Sequence, residues 1–130
     1  MMPDYFTGLI SQYSGALNAD QSARYAKAVI EAWYFTLSFD DQKQLINLLP
    51  DYLKPKKKVF FIKKNQQVSP NQGEIFVFRL VQDLSRSSNE EAEFIARGVF
   101  KSLKVISSTE QNFAYSRLFT KKFSEFFIGS

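Results

Sequence analysis

Cysteine and histidine are both missing from the 130 residues. Without thiols there is no disulfide framework, thiolate nucleophile, cysteine zinc site or iron–sulfur ligation. Without imidazole, the commonest general base and the commonest metal ligand are gone, and with them every serine–histidine or cysteine–histidine arrangement. Glycine is sparse, at five residues, and none falls in a G-x-G-x-x-G or P-loop pattern. No apolar run approaches the roughly 18 residues of a membrane span. The opening "MMPDYFTGLISQY" places no basic region before an apolar stretch, as a secretory signal would. The expectation is a cytoplasmic, non-enzymatic protein with no cofactor and no metal.

What the chain has in quantity is apolar and aromatic side chains. Apolar residues make up 45% and aromatics 16%, with 14 phenylalanines. One domain of 1–130 can bury a core from these without staples. The apolar residues recur at helical spacing behind good N-caps. Pro3-Asp4 opens a run carrying Phe6, Leu9, Ile10 and Tyr13, closed by Ser14-Gly15. Asn18, with Gln21 three residues on, precedes Ala26, Val29, Ile30, Trp33 and Leu37. Ser38, followed by Asp40 and Asp41, precedes Leu45, Leu48 and Leu49. "PDYLK" is a short turn.

The polar stretch 65–74 reads as a loop, and then the pattern restarts. "EIFVFRLVQDLSR" is a helix with Phe78, Val81 and Leu84 among its inward candidates. Ser88 with Glu91 and Ser108 with Gln111 read as two capping boxes. Ile95, Val99, Leu103 and Ile106 follow the first of these, and Leu118-Phe119 end the second. Thr120 caps a final short helix in "KKFSEFF".

The halves superpose by number. Ala28, Val29, Trp33, Ser38, Leu45, Leu48 and Leu53 fall 70 residues before Gly98, Val99, Leu103, Ser108, Tyr115, Leu118 and Phe123. The first helix aligns best one residue further on, Leu9 on Leu80, with the slip placed before the cap. The fold class expected is all-α: a helical bundle of two similar halves, about 4–54 and about 74–127, from an internal duplication. "LLPDYLK" after an Ala/Val-rich "YAKAVIEAW", repeated about 70 residues later, resembles the uncharacterised bacterial family called domain of unknown function 2267. The second copy departs from it, with "RLFTKKF" where the pattern favours a Leu-Pro pair. The resemblance implies a tandem all-helical fold and no activity.

Charge singles out one stretch. Net charge is +4, yet "KPKKKVFFIKK" at 54–64 holds six of 17 basic residues and none of 13 acidic ones. The remainder is slightly acidic. Lys56, Lys57, Lys58, Lys63 and Lys64 could neutralise phosphates, with Phe60 and Phe61 as stacking platforms. The lack of Arg in the stretch argues against base reading. An anionic membrane surface is the other polyanion such a segment would meet. The bland reading is a solvated sleeve of lysines around an apolar seam. First-turn acids such as Glu90 and Glu91 are explained by the helix dipole rather than by a metal. Trp33, Tyr25, Tyr34, Tyr52 and Tyr115 could line a small-ligand pocket between the halves, though Trp33 lies on the buried stripe. The leading expectation is a module that binds a protein partner or itself. The alternatives are a low-specificity nucleic-acid or anionic-surface binder acting through 54–64, and a ligand pocket between the halves.

Overall fold

The computed structural model describes residues 2–55, 71–85, 88–121, 123–125 and 129. The described elements are all helical: α1 (Asp4–Ser14), α2 (Ala19–Phe35), α3 (Phe39–Leu48), a 3₁₀ turn (Asp51–Leu53), α4 (Gln72–Leu84), α5 (Asn89–Ile106) and α6 (Thr109–Ser116). No strand occurs among the described residues.

The caps act where the sequence places them. The Asn18 side chain accepts from the Gln21 amide at 2.8 Å, Ser38 from Asp41 at 3.3 Å and Ser88 from Glu91 at 3.1 Å. Ser108 and Gln111 complete a reciprocal capping box. Each bond satisfies an amide that the first turn leaves without a helical partner. The Gln21 side chain reaches past Asn18 and accepts from the Leu17 amide at 2.8 Å. Past Ser116, the Thr120 hydroxyl accepts from the Phe123 amide at 3.2 Å, so it caps the turn that follows.

Several element boundaries correspond at an offset of 70, though α4 starts two residues earlier than α1 plus 70. α2 and α5 start at 19 and 89, and α3 and α6 at 39 and 109. α1 and α4 both stop at left-handed residues, Gly15 (φ 75°) and Ser85 (φ 54°). Burial keeps the register. Phe6, Thr7, Ile10 and Ser14 of α1 answer to Phe76, Val77, Leu80 and Leu84 of α4. The first helix therefore needs no slip: Ile10, not Leu9, matches Leu80. The Gln42 side-chain amide donates to the Tyr34 carbonyl at 3.0 Å, and that of Asn112, 70 residues on, donates to the Lys104 carbonyl at 3.1 Å.

Two further expectations are corrected. α4 begins at Gln72, so Gly73 is helical rather than part of a loop. Phe78 is 66% exposed, because α4 turns Phe76, Val77 and Leu80 inward instead. Four consecutive apolar residues, Ile75 to Phe78, leave the inward face undecided until α4 meets a neighbour.

The halves are interlocked. α1 packs on α5 and α4 on α2, so each half's first helix lies on the other half's long helix. α2 meets α5, and α3 meets α6. Trp33 sits at the centre, fully buried. Its ring stacks on Phe119 at 4.7 Å and meets Phe100 edge-on at 5.6 Å. Two hydrogen bonds tie the halves reciprocally. The Trp33 indole donates to the Leu118 carbonyl at 3.2 Å, and the Tyr115 hydroxyl donates to the Leu48 carbonyl at 2.9 Å. Burial pushes the Tyr115 phenol up to about 12.

α1 crosses α5 at Gly98. A Cβ there would stand 2.7 Å from the Ser14 Cβ and 2.8 Å from its backbone nitrogen. In an open helix, Gly→Ala gains roughly 1 kcal/mol. At position 98 the sign should reverse, because α1 must shift to admit the methyl. Gly98→Ala is expected to destabilise by about 1–3 kcal/mol. A urea midpoint at or above that of the parent chain would show that the two helices have room to separate.

Candidate functional site

The surface singled out by charge, Lys56, Lys57, Lys58, Phe60, Phe61, Lys63 and Lys64, lies outside the described residues. Its flank is described: Lys54 pairs with Asp51 at 3.2 Å on an exposed turn, within one short segment.

The aromatic residues weighed as pocket lining divide. Trp33 and Tyr115 are core. Tyr25 is buried beside an open groove of about 350 Å³ between the halves, shared with Ser14, Glu90, Glu91, Phe94 and Ile95. Tyr34 borders a small pocket of about 220 Å³ with Phe39, Lys43 and Ile46. Tyr52 stands over Phe6 at 5.6 Å and shares a 3.3 Å hydrogen bond with the Tyr5 hydroxyl. Burial, with that bond, raises its phenol far above the usual range.

A larger cleft, of about 490 Å³, has all of its lining among the described residues in the second half. The start of α4 supplies Asn71, Gly73, Glu74, Val77 and Phe78, α5 supplies Asn89, Glu93 and Arg97, and the tail supplies Thr120, Phe123 and Glu125. Its geometry is set from below by Gln72, which is fully buried. The Gln72 side-chain amide donates to the Thr36 hydroxyl and to the Leu118 carbonyl, both at 3.1 Å. Its carbonyl accepts from the Thr120 amide at 2.7 Å. This one side chain thus fixes the cleft's α4 wall to its tail wall and to the end of α2. Phe123 closes the floor, packing on Phe76 at 5.0 Å.

The exposed side of α4 continues from the cleft. Ile75 and Phe78 share that side, and Arg79 stacks over the half-exposed Phe35 ring at 4.0 Å. Sequence reasoning missed this strip because it counted Phe78 toward the core. No three His, Cys, Asp or Glu side chains among the described residues converge as a metal site would need. No helix among them is long and apolar enough to cross a membrane.

No protein-family model, curated protein or solved structure matches this chain.

Proposed function

We propose that the chain is a non-catalytic helical module that works by binding a protein partner or a second copy of itself. One observation carries this reading: Phe78 stands exposed on α4 in the lining of a cleft, with the exposed Ile75 one turn before it on the same helix. Scattered exposed apolar residues are ordinary, whereas a continuous strip beside a concavity is what interfaces use. The missing Cys and His weigh against catalysis. The 70-residue register of caps, burial and hydrogen bonds supports reading the halves as an internal duplication. The test is photo-crosslinking in cells that naturally carry the chain. The photoreactive p-benzoylphenylalanine would replace Phe78, and Gln44, exposed on α3, in a control. A discrete adduct at 78 and none at 44 is expected. An adduct of twice the chain mass means self-association, and any other single mass means a partner. No adduct at 78 ends the proposal.

The lysine stretch supports a second reading, a polyanion grip. Six phosphate contacts would give a log–log salt slope for duplex DNA of about −5, from about −0.9 per phosphate. Changing Lys56, Lys57, Lys58, Lys63 and Lys64 to Gln should nearly flatten it. Filter binding at several salt concentrations decides this. A slope that survives the five changes would place the contacts elsewhere.

A further inference from the structure

The cleft of the second half has a chemistry of its own. Val77, Phe78 and Phe123 supply apolar surface, while Glu74, Glu93 and Glu125 supply carboxylates from three separate segments. No ion pair or side-chain hydrogen bond engages these three carboxylates among the described residues. They do not converge on a point where a metal ion could sit. Opposing them are Arg97, which is already engaged by a neighbour, and the starts of α4 and α5, worth roughly half a positive charge each. Among the described lining residues the balance stays negative, on a protein whose overall charge is +4. Asn89 and the Thr120 hydroxyl add polar groups able to meet a peptide backbone.

Spaced carboxylates around an apolar floor fit an extended chain that alternates cationic and apolar side chains. Resting on the interaction reading above, the geometry points to a docking site for a lysine- or arginine-bearing apolar peptide segment of a partner protein. An apolar side chain anchors on Phe78 and Phe123, and the carboxylates fix the sign of the flanking charges. Affinity comes mostly from the anchor, since the carboxylates are largely exposed.

The test is fluorescence anisotropy with two labelled eleven-residue probes, one alternating Lys and Leu, the other Glu and Leu. The full chain should bind the Lys/Leu probe at micromolar concentration in low salt and ignore the Glu/Leu probe. Glu74→Gln, Glu93→Gln and Glu125→Gln together should weaken binding at least tenfold, as should Phe78→Ser alone. All four positions lie outside the buried core, and circular dichroism of each variant checks that it keeps the helical content of the parent chain. Equal binding of both probes, or an unchanged affinity in the triple variant, overturns the proposal. So does binding that appears only after Lys56, Lys57, Lys58, Lys63 and Lys64 are changed to Gln, since the chain's own lysine stretch would then be the occupant. A crosslink at position 78 with no probe binding would remove this cleft chemistry and leave the interaction module standing.

Discussion

Trp33→Ala should lower stability by about 3–5 kcal/mol, the range for emptying a large aromatic from a packed core. For a chain of this length that is a fall in melting temperature of about 10–20 °C. The site cannot collapse easily, because Trp33 is walled by Phe100, Tyr115 and Phe119, rings contributed by the other half. Trp33→Phe separates packing from hydrogen bonding. It keeps an aromatic ring of smaller volume and removes the bond to the Leu118 carbonyl, which still accepts from Gln72. That variant should lose less than half as much. Calorimetry of both decides, and equal losses would mean that the indole N–H, not the packing, supplies most of what Trp33 contributes.

Gln72→Leu should cost about 2–3 kcal/mol, although it buries more apolar surface. Two of the three groups it deserts keep other company: the Leu118 carbonyl retains Trp33, and the Thr36 hydroxyl still donates to the Trp33 carbonyl at 2.6 Å. The Thr120 amide loses the acceptor it meets at 2.7 Å. Gln72→Glu should be worse near neutral pH, because it places a buried carboxylate where two donors are needed, facing the Thr36 hydroxyl and the Leu118 carbonyl. It should recover partly in acid, where the protonated form is neutral and can donate once. If urea melts put Gln72→Leu within about 0.5 kcal/mol of the parent chain, the buried amide is not holding the tail.

The helices were legible because their signals are local. Asn18, Ser38, Ser88 and Ser108 each sit directly before a stripe at helical spacing, and each caps as its type and position imply. What local signals could not decide was which of several apolar neighbours turns inward. Leu9 and Ile10 are adjacent, as are Phe76, Val77 and Phe78, and only packing on another helix chooses between them. Gln72 was illegible for a different reason. A glutamine beside a glycine reads as loop, and its burial depends on groups at 36, 118 and 120 that the chain brings to it from far away. The second-half cleft draws on three such segments, so no single stretch announces it. The lysine stretch, most visible in sequence, falls outside the described residues.

The reciprocal bonds between the halves have a consequence for synthesis. Leu118, whose carbonyl receives the Trp33 indole, is made 85 residues after it. At about 5–20 residues per second, the first half waits several seconds with its largest apolar side chain uncovered. Contacts this distant in sequence also make the chain a slower folder than a helical bundle closed by near neighbours. During that interval the nascent first half is the form most exposed to aggregation, and the segment that seals it, around Leu118 and Phe119, arrives only 85 residues after Trp33.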